Sequence, residues 1–332
     1  MTGRERVFAM LDGRPVDRVP LMPITMLFAA DQTGAPYGRY ALDHRVLVEA
    51  QLRTVERFDF DHVSAITETR EAPDCGAPVR YFDDQPYALD ESRALLADKS
   101  VLAHLASPDP ATAPHMSDRL EALAELKRRA GAEKIVEGWV EGPCGAASDL
   151  RGINTLMVDF HDDPDFVTDL FEFVLDLGLR FGRAQVAAGA DVLGIGDPAA
   201  SLVGPKLYEQ VVWPYEKRLA DGLRAAGARV RLHICGNTRR SLEAIGRLGC
   251  DLVDIDSMVP LAEAREQMGP RQVLLGHVDP VRTLLRGTPD DVTAAVRECR
   301  RIADPAYIAG AGCEVPRDTP AENLHAMRRA AD

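Results

Sequence analysis

The stretch RVRLHICGNT, residues 229–238, decides how the rest of the chain is read. Val230, Leu232 and Ile234 alternate with other residues, as along a buried strand. The same run carries His233 and Cys235 two positions apart, and Gly236 and Asn237 then break it. Residues i and i+2 of a strand share a face, so an imidazole and a thiol project together beside a turn.

Working outward, seven more short apolar runs have the same character. They are residues 19–23 (VPLMP), 62–67 (HVSAIT), 135–141 (IVEGWVE), 191–197 (DVLGIGD), 252–257 (LVDIDS), 273–279 (VLLGHVD) and 307–312 (YIAGAG). Helical patterns separate most of them. Residues 165–189 repeat apolar side chains at three and four spacing after an Asp163-Pro164 start, and residues 208–227 end in Gly227, a natural helix stop. Strands alternating with helices imply a parallel sheet, and a count of eight favours a closed α/β barrel, the (β/α)₈ TIM barrel, over an open sheet. No Gly-x-Gly-x-x-Gly follows the first strand, which argues against a dinucleotide site. Residues 1–18 form a short N-terminal extension, and residues 73–87 (PDCGAPVRYFDDQPY) read as a hairpin insertion after strand 2. Residues 1–332 read as one barrel domain, without repeat or linker.

A net charge of −13 argues against a general nucleic-acid binder, because phosphate neutralisation needs clustered Lys and Arg. No apolar run is long enough to span a membrane, and the first residues lack an apolar leader core, so a cytoplasmic location is expected. The six cysteines are scattered, with no C-x-x-C, so a disulfide framework is not expected. A homodimer is compatible with these features but not indicated by them.

A barrel of this kind keeps its chemistry at the C-terminal ends of its strands. Glu141 ends the third run, Asp197 the fourth, His233 and Cys235 the fifth; Asp254 and Asp256 lie on the sixth, His277 and Asp279 on the seventh. The eighth leads into Cys313 and Glu314. One imidazole and two thiolates, His233, Cys235 and Cys313, suit tetrahedral zinc with an open or carboxylate fourth position. Asp256 is the candidate fourth ligand and Asp254 the next. Glu141, Asp197 and Asp279 are the candidate catalytic carboxylates; Asn237, His277 and Cys144 are candidate substrate-binding residues. On H-x-C alone, a core histidine beside a buried thiol is the simpler reading; Cys313 in its Gly-flanked loop at the mouth changes that. Cys250 and Cys299 read as packing, as do Trp139 and Trp213, and Asp17-Arg18 reads as a surface pair.

Six segments carry a resemblance: DGRPVDRVPLMP (12–23), EGPCGAASDLRG (141–152), LVGPKLYEQVVWPYEKRL (202–219), LHICGNT (232–238), HVDPVRTLLRGTPDDV (277–292) and GAGCEVPRDTPAENLHAM (310–327). Together the chain resembles the uroporphyrinogen decarboxylase superfamily, and more closely its cobamide-linked methyltransferase branch. That branch includes methylcobamide:coenzyme M methyltransferases and bacterial O-demethylase methyltransferases. The resemblance implies zinc on His233, Cys235 and Cys313, and a methyl group moved between a small substrate (methyl ether, methylamine or thiol) and a corrinoid. The corrinoid would come on a small partner protein or as free methylcobalamin. The decarboxylase branch carries R-Q-A-G-R after its first strand; here MPITMLFAADQTG (22–34) has no arginine. Two alternatives stay open: a decarboxylase with other carboxylate anchors, and a non-catalytic barrel that binds a tetrapyrrole or corrinoid.

Overall fold

The computed structural model describes residues 1–68 and 71–332. Seven strands pair in parallel in one curled sheet: β1 (His62–Ser64), β4 (Ile135–Glu141), β5 (Val192–Gly196), β6 (Arg229–His233), β7 (Leu252–Ile255), β8 (Val273–Val278) and β9 (Tyr307–Ala311). The remaining two, β2 (Val79–Arg80) and β3 (Ala88–Leu89), form the expected antiparallel hairpin after β1. Helices pack around the outside, giving the expected TIM-barrel-like fold.

The first expected strand shrinks to a single bridge, Leu21 to Ala309. Pro20 and Pro23 lack the N–H that a ladder needs, so regular pairing cannot extend through them. The segment still closes the sheet. Met22 N donates to Ala309 O at 3.0 Å and Ala309 N to Pro20 O at 2.8 Å. On its other side, Leu21 O accepts from Asp61 N at 2.9 Å.

Asp61 locks this closure. Its carboxylate is fully buried and accepts from Leu21 N at 2.7 Å, Arg18 Nη1 at 2.8 Å and Arg6 Nη1 at 2.5 Å. The Asp17-Arg18 surface pair is therefore corrected. Arg18 is buried on Asp61, while Asp17 takes Arg6 and the N-terminal amine.

Helices form where the sequence places their ends. In Pro164–Ala188, Asp163 caps the first turn, Pro164 sits at the start, and Gly189 ends it in the left-handed region at φ 116°. Its buried stripe of Leu170, Phe171, Val174, Leu177 and Phe181 covers the sheet. Thr288 and Asp291 form a reciprocal cap at the start of Pro289–Ala303. Among the described residues, no helix is long and apolar enough to cross a membrane.

Asp61→Ala is expected to lower stability by about 3–5 kcal/mol, because two buried guanidinium groups lose their counter-charge. Chemical denaturation checks this; a loss below ~1 kcal/mol would show that Asp61 does not close the barrel.

Candidate metal centre

His233 ends β6, and Cys235 follows it at the barrel mouth. Cys313 follows β9. Among the described residues, these three form the one cluster whose donor atoms all lie within 4.8 Å of one another. The two sulfurs are 3.7 Å apart, and Cys313 Sγ is 3.8 Å from His233 Nε2. Tetrahedral zinc with ordinary Zn–S and Zn–N lengths sets these edges at ~3.7 and ~3.5 Å. The third edge, His233 Nε2 to Cys235 Sγ, is 2.9 Å, a hydrogen-bond length that has to open slightly for an ion. The donor set therefore fits zinc.

His233 is aimed from behind. Its Nδ1 lies 2.7 Å from Asp254 Oδ2, which leaves Nε2 facing the cysteines. Asp254 also accepts from Arg231 Nη2 at 2.7 Å and Nε at 2.9 Å. Arg231 Nη1 reaches Glu137 Oε1 at 3.0 Å, and Glu137 lies 3.7 Å from His62. This ionic ladder fills the barrel interior, where side chains are usually branched and apolar. Trp139 lies under the Arg231 guanidinium at 5.2 Å and edge-on to His233 at 6.3 Å. Gly194 makes room for it, since a Cβ there would meet the indole at 2.5 Å.

Protonation follows from these contacts. Burial pushes His233 down, but Asp254 and Cys313 outweigh it and raise the imidazole to about 9. The hydrogen bond from Cys235, aided by His233 and opposed by burial, holds the Cys313 thiol down to about 4. Cys235 is correspondingly raised, by its hydrogen bond to Cys313 and by burial.

A cavity of about 630 Å³ opens beside Cys235. Glu141 lines it, as expected from the sequence. So do Glu68, Glu91 and Asp149, which sequence reasoning missed, together with Tyr87 and Leu202. Asp149 could have been found. It lies in the segment after β4, one helical turn beyond Gly145, on the helix Pro143–Arg151.

Several expected assignments are corrected. Asp256 is not in the ligand cluster: its two oxygens accept from Gly236 N at 2.8 Å and Met258 N at 2.9 Å. β7 stops at Ile255, so the period of two that would have aligned Asp256 with Asp254 is lost. Asp197 is fully buried and caps the helix Pro143–Arg151, accepting from Cys144 N and Gly145 N at 3.1 and 2.6 Å. Cys144 is fully buried too, and burial pushes its thiol well up. Asp279 caps the turn after β8 through Val281 N and Arg282 N. His277 bonds the Val259 carbonyl at 2.6 Å and is not among the described lining residues. Asn237 lines a second cavity of about 390 Å³, with Arg239 and Arg240.

The family model for uroporphyrinogen decarboxylase (URO-D) matches residues 2–332, and the chain belongs to that family. Its relatives include "Methylcobamide:CoM methyltransferase MtbA" of Methanosarcina mazei, 29% identical over 99% of this chain and 97% of that protein. Uroporphyrinogen decarboxylase of Azoarcus sp. is 25% identical over 84% of this chain and 79% of that protein. A solved methyltransferase from Methanosarcina mazei superposes with a TM-score of 0.87 at 23% identity, covering 100% of this chain and 98% of that one. Members of the methyltransferase branch expected from the six segments are thus among the relatives, beside decarboxylases.

Asp254→Asn keeps an acceptor but loses the charge behind His233. It is expected to weaken zinc binding by about 10–100-fold in chelator competition. Unchanged affinity would remove Asp254 from the site. A second outcome concerns Asp197, whose carboxyl meets that of Glu216. Burial raises Asp197 to about 7, and burial with the Asp197 charge raises Glu216 further. Raised acids contribute stability at low pH that is lost as pH climbs through about 7. Glu216→Gln, which always offers a donor, is expected to flatten the loss of thermal stability as pH climbs from ~4 through about 7.

Proposed function

We propose that this chain is a zinc-dependent methyltransferase that moves a methyl group between a small substrate and a corrinoid. The observation that carries it is the His233, Cys235 and Cys313 cluster: three donors from two distant strand ends, two of their three edges near tetrahedral lengths, beside a substrate-sized cavity. Structural zinc sites are usually closed by four protein ligands; three ligands next to a cavity describe a catalytic one. The relatives named methylcobamide:CoM methyltransferases supply the corrinoid and thiol parts of this reading.

Zinc bound there would lower the pKa of a coordinated thiol, or polarise the heteroatom of a methyl ether or methylamine. The chain's residues do the rest. Asp254 fixes the His233 ring and its tautomer. Cys235 borders both the cluster and the cavity, so it places the reacting atom of the substrate inside that cavity. Glu141, at the end of β4, orients the substrate from the wall. Residues 1–332 act as one catalytic barrel, and the corrinoid arrives at the mouth, free or on a small protein.

A polycarboxylate porphyrinogen is disfavoured. The segment after the first strand, residues 22–34, carries no arginine to hold substrate carboxylates. The Asp197 and Asp279 carboxylates are better described as helix caps than as catalytic groups.

Purified protein is expected to hold about one zinc per chain, and Cys313→Ala to lose it together with methyl transfer from methylcobalamin to a thiol. Elemental analysis beside circular dichroism checks this. Full zinc content in the variant would overturn the ligand assignment.

A further inference from the structure

The hairpin of β2 and β3 is a separate small sheet, yet it walls the cavity beside Cys235. Tyr87, Ala88 and Leu89 line that cavity. The two strands pair over only two positions, Val79 with Leu89 and Arg80 with Ala88. So short a hairpin has little stability of its own, and the contacts that seat it decide where the wall stands.

Contacts at three points seat it. Its backbone rests on the start of the helix Tyr37–Leu42, where Gly38 N donates to Asp83 O at 2.8 Å and a Cβ on Gly38 would meet that oxygen at 2.7 Å. Tyr81 Oη lies 2.9 Å from His115 Nε2, and His115 Nδ1 lies 2.7 Å from Asp74 Oδ1. The third contact is a guanidinium from the loop after β9. Arg317 Nη2 donates to Asp84 Oδ1 at 3.0 Å, and its Nη1 donates to Asp84 O at 3.3 Å.

Arg317 stands in the same loop as Cys313. Its Nε and Nη2 also grip the two oxygens of Asp31, at 3.0 and 2.6 Å. The residues between are stitched to the same N-terminal segment. Glu314 Oε1 accepts from Leu27 N at 3.0 Å, and Val315 N donates to Ile24 O at 2.9 Å. One guanidinium therefore ties the loop that carries a metal ligand to a wall of the neighbouring cavity. Arg317 is not itself among the described lining residues.

We propose that Arg317 is a positioning residue: it holds the hairpin wall in register with the Cys313 loop, and so sets how tightly the site binds its small substrate without touching it. This rests on the methyl-transfer reading above and adds a residue outside both the metal ligands and the cavity lining. A planar guanidinium suits the task, because its fork bonds two carboxylates at once in fixed directions.

The experiment uses the zinc-loaded full chain with methylcobalamin and 2-mercaptoethanol. Asp84→Ala removes the wall's half of the clip and leaves Arg317 on Asp31. Gly38→Ala wedges the wall off its seat and leaves both clip residues in place. Each is expected to raise KM for the thiol about fivefold, with kcat changed less than ~2-fold. Zinc affinity in chelator competition is expected to stay at the wild-type value in both. Hydrogen exchange of the amides of residues 78–90 is expected to speed up by a similar factor of about five. Asp84→Asn keeps an oxygen acceptor and is expected to restore most of the KM. Unchanged KM and unchanged exchange in Asp84→Ala overturn the proposal. A loss of zinc or of kcat at unchanged KM also overturns it, since the clip would then act on the metal loop and not on the wall. If the wild type methylates no thiol, the methyl-transfer reading fails, and the exchange rates still decide whether Arg317 seats the hairpin.

Discussion

Asp254 bonds two side chains of one strand, Arg231 and His233, and the site depends on that double contact. Buried charges are expensive unless each is paired and hydrogen-bonded. Here the ladder from His62 through Glu137, Arg231 and Asp254 to His233 satisfies each carboxylate from more than one side. A negative charge held behind the imidazole fixes which nitrogen faces out. An apolar barrel interior would leave that ring free to choose its tautomer and rotation.

The other half of the site depends on closure of the barrel. Cys313 follows β9, and β9 is flanked by β8 on one side and by the segment around Leu21 on the other. Asp61, with Arg6 and Arg18, pins that segment at the opposite end of the barrel. The ladder from β6 through β7 and β8 to β9 brings Cys313 towards Cys235, and the buried ionic knot holds the segment that closes the sheet on the far side of β9. The prolines that shorten the first strand to one bridge leave the knot to do what a regular ladder would do elsewhere.

Much of this was legible in the sequence, and the rest was not for identifiable reasons. The strand at residues 229–235 and its two ligands could be read because alternation and the i, i+2 rule act locally. Cys313 could be placed because parallel β/α units bring all strand ends to one mouth. Asp256, Asp197 and Asp279 were misread for a common reason. Each lies just past the end of a strand, where the backbone turns and a carboxylate is captured by nearby N–H groups. Asp254 was considered as a ligand, but which atom it would meet depends on the neighbouring strand's register. Arg18 looked like a surface residue because its partner, Asp61, is 43 positions away. Glu68, Glu91 and Asp149 gather only when the hairpin and the helix after β4 fold over the mouth.

The most direct measurement is X-ray absorption at the zinc edge of the purified protein. A four-coordinate site with two sulfurs at ~2.3 Å and lighter N or O donors near ~2.0–2.1 Å is what the His233, Cys235 and Cys313 cluster requires. An exchange of one light donor for a third sulfur on adding a thiol would show that the open position receives substrate. A shell of four sulfurs before any thiol is added, or of oxygens alone, would contradict this account of the site.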